Sequence, residues 1–229
     1  LYEEFQGRAS AFADAPVART RQAAIDGTLS IRVNGREVAT TRGTPLLTLN
    51  SRYNILTHTE LLGNAVYTKY LTTVADDAMV APDGLTTADT ITASDNYSSI
   101  NRSLAVTAGA VHTLSFYAKR GTMTEAKLSI RDVNNAVDIV APTSYYSSIN
   151  SSTWTRVTQT FTVPANCTTI LFHLLRDSFS TGTIHLCGVQ LDTGPSAKTY
   201  QRVGATTADF DLQAPLTIGN SYALDAPFL

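Results

Sequence analysis

The stretch Asn54–Ala93, NILTHTELLGNAVYTKYLTTVADDAMVAPDGLTTADTITA, decides how this chain is read. It contains strand-like runs near 66–74, 77–81 and 87–93, and Pro82-Asp83-Gly84 supplies the turn chemistry between the last two. Its counterpart is Thr183–Val203, TIHLCGVQLDTGPSAKTYQRV, which closes the same region. Between them the sequence predicts strands near 98–106, 110–118, 125–132, 153–163, 168–176 and 182–191. Lys119–Gly121, Asn134-Asn135 and Pro164 separate them. Leu114 and Phe116 alternate with Ser115 and Tyr117, and Leu128 and Ile130 alternate with Lys127, Ser129 and Arg131. Period-two alternation means one face buried and one face wet, as in a sandwich of two sheets.

Composition supports an all-β reading. The 229 residues include 34 threonines and 18 serines; Thr fits half-exposed strands and Ser fits turns. Only 16% of residues are charged and the net charge is −2, so no basic stripe is available to neutralise phosphates, and nucleic-acid binding is excluded as a first reading. No apolar run approaches the roughly 20 residues that span a bilayer, and no secretory leader is recognisable, so membrane insertion is not expected. The chain starts at Leu1 rather than Met, as a processed or partial product of a longer gene would.

Residues 1–51 read as a docking or oligomerisation segment. Tyr2, Phe5, Ala9 and Phe12 form one stripe on a short helix that Pro16 ends, and such a helix needs a partner surface, either its own domain or other chains. Thr28–Val33 and Arg36–Thr40 flank Asn34-Gly35, the strongest short hairpin signal, and Thr44–Leu49 offers another strand. Residues 52–203 form the sandwich, and 204–229 an extended arm. The arm's Phe210, Leu212, Leu216, Ile218, Tyr222 and Phe228 would lie against a neighbour.

The central region resembles the carbohydrate-binding-module-like jelly rolls that recur in bacteriophage fibres, spikes and glycanase appendages. The matching phrases are Asn54-Ile55-Leu56, the Pro82-Asp83-Gly84…Ala88-Asp89 loop, LSFYAK at 114–119, Trp154…Val157…Phe161, and GVQLDTG at 188–194. The resemblance implies a jelly-roll β-sandwich that displays or binds glycans and has no catalytic machinery of its own. It further implies a virion structural protein (tail fibre, head spike or decoration) that is assembled in the host cytoplasm, docks on other virion proteins and attaches to host-surface glycans. A homotrimer follows by analogy with fibres. The alternatives are a non-catalytic carbohydrate-binding module of a secreted glycan-degrading enzyme, and a purely architectural virion protein with no ligand. Relatives often carry a structural calcium, but Cys187-Gly188 stands where their acidic residues lie; Asn54, Glu60 and Asp192 are the remaining oxygen-ligand candidates, and no other cofactor is expected.

Candidate glycan-contacting residues come from two patterns. The pentapeptide YSSIN occurs at Tyr97–Asn101 and at Tyr146–Asn150, the second preceded by Tyr145; Tyr offers a sugar a flat apolar face with a hydroxyl. The copies are either two binding loops or a coincidence in a Ser/Thr-rich chain. Tyr117, Arg131, His173 and His185 should point outward from strands and could share a sheet face, which would otherwise be simply solvated. If strands 168–176 and 182–191 pair antiparallel around residue 179, His173 lies opposite His185, Cys187 follows on the same face, and a zinc set becomes conceivable. The same pairing keeps Cys167 and Cys187 apart, so two free thiols are expected. Trp154 is expected at the core edge. No G-x-S-x-G, H-E-x-x-H, phosphate loop or C-x-x-C occurs, and an enzyme is not expected.

Overall fold

The structure is a computed structural model. It describes the backbone of three strands between residues 18 and 40, and residues 52–207 and 209–211 in full. The chain divides into two compact units, Leu1–Tyr53 with Ala205–Leu229, and Asn54–Gly204. The stripe Tyr2, Phe5, Phe12, the strand proposed at Thr44–Leu49 and most of the C-terminal arm lie outside the described residues.

In the first unit, β1 (Ala18–Ala23), β2 (Leu29–Val33) and β3 (Arg36–Thr40) make an antiparallel sheet in that order. Val33 pairs with Arg36, so β2 and β3 pair antiparallel in the order read from the sequence, while Asn34-Gly35 lies outside the described residues. The strand β1 was not foreseen.

The second unit is an all-β jelly-roll sandwich. Its strands are β4 (Thr68–Tyr70), β5 (Thr72–Val80), β6 (Thr86–Ala93), β7 (Ser99–Ala105), β8 (Val111–Arg120), β9 (Lys127–Asp132), β10 (Val137–Ser144), β11 (Thr155–Thr162), β12 (Thr169–Arg176) and β13 (Gly182–Thr193). Sheet I has the order β10-β9-β12-β7-β4 and sheet II the order β11-β8-β13-β6-β5, with every pairing antiparallel. Leu114, Phe116, Ile91, Ile184, Leu186 and Leu191 of sheet II meet Ile100, Ile130, Ile170, Phe172 and Leu174 of sheet I, and all are fully buried. Each such side chain stabilises the fold by about 1.5–3 kcal/mol through removal from water.

Three boundaries depart from the sequence reading. Instead of separate strands at 66–74 and 77–81, the chain breaks at Leu71 (φ 50°), where it passes from sheet I to sheet II. It then carries Asp76-Asp77 through a bulge, with Asp77 at φ 51°. The strand β10 was missed because it is an edge strand, exposed along most of its length, with Pro142 in it; an edge tolerates proline and needs no alternation. The expected hairpin around residue 179 does not form: β12 belongs to sheet I and β13 to sheet II. His173 therefore pairs with Asn101 and Ser129, while His185 pairs with Thr90 and Lys119. The zinc set dissolves, because its members lie on different sheets. Cys167 and Cys187 are free and buried as expected, though kept apart by the sandwich rather than by strand register.

Candidate functional site

The two outer faces of the sandwich differ. On sheet II, Leu114, Phe116, Val189 and Leu191 face the core, and Thr113, Ser115, Gln190 and Asp192 face outward, yet these four are almost fully buried. The segments entering and leaving the sandwich cover them. Thr113 Oγ1 donates to the Gly194 carbonyl (2.9 Å), and the Gln190 side chain accepts from Gln201 N (2.7 Å) and donates to Asp192 Oδ2 (2.8 Å). Asn54 Nδ2 donates to the Val189 and Gln201 carbonyls, while its Oδ1 accepts from Leu56 N and Leu191 N. Tyr200 packs edge-on against Tyr117 (6.3 Å) and shares a 2.9 Å hydrogen bond with Thr59. Arg156 lies over the Tyr117 ring at 5.7 Å and donates to Ser115 Oγ at 2.9 Å. Trp154 packs beside Ala81, Ala88 and Cys187 at the sandwich edge and donates its indole N–H to the Val80 carbonyl, as expected.

On sheet I, alternation and register lay out three rows across the outward face. One row is Arg176, Ser99 and Tyr70; the next is Ser129, His173, Asn101 and Thr68; the third is Asp138, Arg131, Leu171 and Ser103. Paired residues on adjacent strands share a face, so these side chains are neighbours. A hydrogen-bonded chain runs through them. Asp138 Oδ1 accepts from Arg176 Nη1 (2.9 Å) and, more weakly, from Arg131 Nη1 (3.5 Å). Arg176 Nη1 also donates to Ser129 Oγ (3.1 Å), whose hydroxyl is 3.0 Å from His173 Nδ1. Burial, reinforced by the Arg176 guanidinium, pushes His173 down to about 4. The imidazole is therefore neutral at pH 7.

Beyond the first row lies an apolar corner. Tyr70, Tyr97 and Phe179 are each more than half exposed, and Leu71 is also exposed. Tyr97 and Phe179 meet edge-to-face at 5.5 Å, Phe179 N donates to the Asn96 carbonyl, and the Lys127 ammonium is 5.2 Å from the Phe179 centroid. Exposed aromatic rings beside a face of amide, hydroxyl and guanidinium donors can stack on one side of a sugar and bond its hydroxyls.

The predicted site residues divide accordingly. Tyr97 and Arg131 lie on or beside the sheet I face. Tyr117 lies on the sealed outer face of sheet II and only half emerges, so it does not share a surface with Arg131. Tyr145 is a correction: its ring is 4% exposed, packs edge-on to Phe116, and its hydroxyl donates to the Leu174 carbonyl. Tyr146 begins a single 3-10 turn, and its ring carries the Arg120 guanidinium at 4.0 Å. The two YSSIN copies are conformationally unlike, one entering β7 and the other forming that turn; they share only a buried isoleucine, Ile100 and Ile149. Sequence reasoning missed Tyr70, Ser129, Arg176 and Phe179. An isolated aromatic in a turn, as at Phe179, was the one available signal.

The calcium candidates do not assemble. Both lone pairs of the Asn54 Oδ1 are spent on backbone N–H groups, and Glu60 accepts from Tyr200 and pairs with Arg202 at 4.0 Å. Asp192 Oδ2 is held by Gln190 and Lys198 N, leaving only Oδ1 buried without a hydrogen bond. Among the described residues no group of three His, Cys, Asp or Glu side chains could hold a metal ion.

No family model matches the chain, and no curated protein matches it. Among solved structures, it is similar to the enzymatically active domain of tailspike protein 4 of bacteriophage CBA120. The identity is 15% and the TM-score 0.48, over 62% of this chain and 22% of the tailspike, so the chain spans about a fifth of that structure. It is similar to the CBM22-1 xylan-binding domain from Paenibacillus barcinonensis at 16% identity and TM-score 0.48, over 65% of this chain and 99% of that domain. The N-terminal cellulose-binding domain of β-1,4-glucanase C from Cellulomonas fimi gives 17% identity and TM-score 0.41, over 60% and 95%. The all-β sandwich is evident from the two five-stranded sheets themselves.

Proposed function

We propose that the chain is a non-catalytic virion structural protein whose sandwich is displayed to bind glycans on a host surface. The observation that carries the glycan reading is the asymmetry of the sandwich. The middle of sheet II's outer face (Thr113, Ser115, Gln190, Asp192) is covered by the chain's own entering and leaving segments, whereas on sheet I Arg131, Arg176, Asn101 and Thr68 stay at least partly exposed beside exposed aromatics, around a buried Ser129 and His173. Both ends of the sandwich leave from one place: His58 N donates to the Gly204 carbonyl and Thr59 N to the Val203 carbonyl. The chain thus enters and leaves the sandwich side by side, which fits a docking role for the segments outside it, on other virion proteins or on two further copies of the chain. The Ser129–His173 contact is not a nucleophile and its base, since Ser129 is fully buried and accepts from Arg176. The virion setting itself draws on the sequence resemblance to phage fibre jelly rolls.

The test is a glycan array of bacterial surface polysaccharides and plant-wall oligosaccharides probed with the full chain and two variants. Arg131→Ala on sheet I should weaken the strongest signal about tenfold, as truncation of an interface arginine commonly does. Arg156→Ala on sheet II should leave it unchanged. Equal loss in both variants, or no saccharide bound at all, defeats the glycan reading and leaves an architectural protein. Light scattering completes the test: a mass of three times the 24.6 kDa chain supports a fibre or spike, whereas a monomer points to a module appended to a glycan-degrading enzyme.

A further inference from the structure

We infer that the Tyr97–Phe179–Lys127 corner is a subsite for an acidic sugar residue, with the sugar ring stacked on the aromatics and its carboxylate or phosphate held by Lys127. This rests on the glycan reading and specifies its ligand class. Two independent features single out the corner. The first is exposure combined with backbone strain. Phe179 and Leu71 sit in the left-handed region (φ 54° and 50°), as does Asp177 (φ 42°), yet Phe179 is 59% exposed and Leu71 42%. Holding a bulky residue in that region is unfavourable, and here it places an apolar side chain in water, gaining nothing from burial.

The second is charge. The arginines of the adjoining face are internally neutralised: Arg131 and Arg176 share Asp138, and Arg176 also meets Asp177 at 3.4 Å. Lys127 is different. Among the described residues no carboxylate pairs with its ammonium, whose recorded partner is the Phe179 ring. Asp95, which accepts from Tyr97 N, and Glu125, which accepts from Ala126 N and Ser144 Oγ, make no ion pair with it. An ammonium outside any ion pair, beside an exposed aromatic pair, matches a ligand that has both an apolar ring face and a negative charge, which a uronate, a sialate or a phosphorylated sugar provides. A neutral sugar would use the rings and leave the charge idle.

The experiment is calorimetric titration of the full chain with tetragalacturonate, tetrasialate, a phosphorylated hexose oligomer and neutral xylohexaose. Variants Lys127→Gln, Lys127→Arg and Phe179→Ala are run alongside, and folding is confirmed by near-UV circular dichroism. Both positions lie at least partly in solvent, so the three variants should fold. The expected result is that at least one acidic oligomer binds and that Lys127→Gln and Phe179→Ala each weaken it about tenfold. Lys127→Arg should retain it, and raising salt should weaken the parent but not Lys127→Gln. If xylohexaose binds at least as well as every acidic oligomer, or if Lys127→Gln leaves acidic binding intact, the acidic subsite is wrong while glycan binding stands. If none of the four binds and the array is also silent, both readings fall together.

Discussion

His173 shows how a single residue reports on the candidate face. It is buried beneath Arg176 and Arg131, its Nδ1 is committed to Ser129, and it stays neutral to about pH 4. The unfolded chain takes up that proton near pH 6.5, so the contribution of His173 to stability is fully present above pH 6.5. It is lost as pH falls from 6.5 to 4, and amounts to at most about 3 kcal/mol. Asp89 has the opposite sign. Burial outweighs its two backbone N–H donors and pushes it up to about 7, so its contribution is present at low pH and lost as pH rises from about 4 to 7. The two oppose each other over the same window, so the total profile is ambiguous, and the difference between the parent and His173→Gln isolates the histidine. Urea unfolding at pH 7 and 4.5 should show the variant losing less stability on acidification than the parent. Equal losses would mean that His173 titrates normally in the folded chain. Tyr145 marks the opposite case: one residue from Tyr146 in sequence, it is core, because a hydroxyl that reaches the Leu174 carbonyl lets its ring be buried.

At the scale of elements, β13 organises the sandwich. It pairs with β6 over Gly182–Leu186 and with β8 on its other side, and a bulge between Cys187 and Gln190 frees its second half to meet the entering segment through Ile55 N, Thr59 and Asn54. Gly188 makes that bulge workable. Its φ is +62°, and a Cβ there would stand 3.1 Å from Tyr117 Cδ2 and 3.3 Å from the Tyr200 ring. Gly188→Ala should therefore cost about 1–3 kcal/mol through left-handed strain and displacement of the Tyr117–Tyr200 contact. A thermal melt reads this directly, and an unchanged midpoint would show that the bulge relaxes freely. Binding to the sheet I face should survive, since β13 lies in the other sheet.

For the whole molecule, hydrogen bonds close the sandwich where its two ends meet. Asn54, Gln190, Gln201 and Asp192 form one buried network in which the Asn54 amide alone bridges the entering segment, β13 and the leaving segment. A closure built this way needs no cation. The expected outcome is that EDTA leaves the melting midpoint within about 1 °C and that millimolar calcium does not raise it, because a ligand bound only by the folded state must shift the midpoint. A rise on adding calcium would place a cation at the free Asp192 oxygen and restore the abandoned ligand set.

The sequence by itself determined what depends on local physics. Period-two alternation at Leu114–Tyr117 and Leu128–Arg131 marked buried strands, the runs flanking Asn34-Gly35 marked the paired strands β2 and β3, and Pro82-Asp83-Gly84 set the turn before β6. It carried the class of fold, because burial patterns and turn residues are written at short range. Tertiary structure alone decided which strand enters which sheet. That choice sent β12 and β13 to opposite layers, separated His173 from His185, and gathered Arg176, Ser129, Asn101 and Tyr70 from four strands onto one face. It also covered the middle of one sheet's polar face with the chain ends and buried Ser129 and His173 within the other's. Alternation says that a side chain points away from the core, but only the path of distant segments says whether water or protein meets it there.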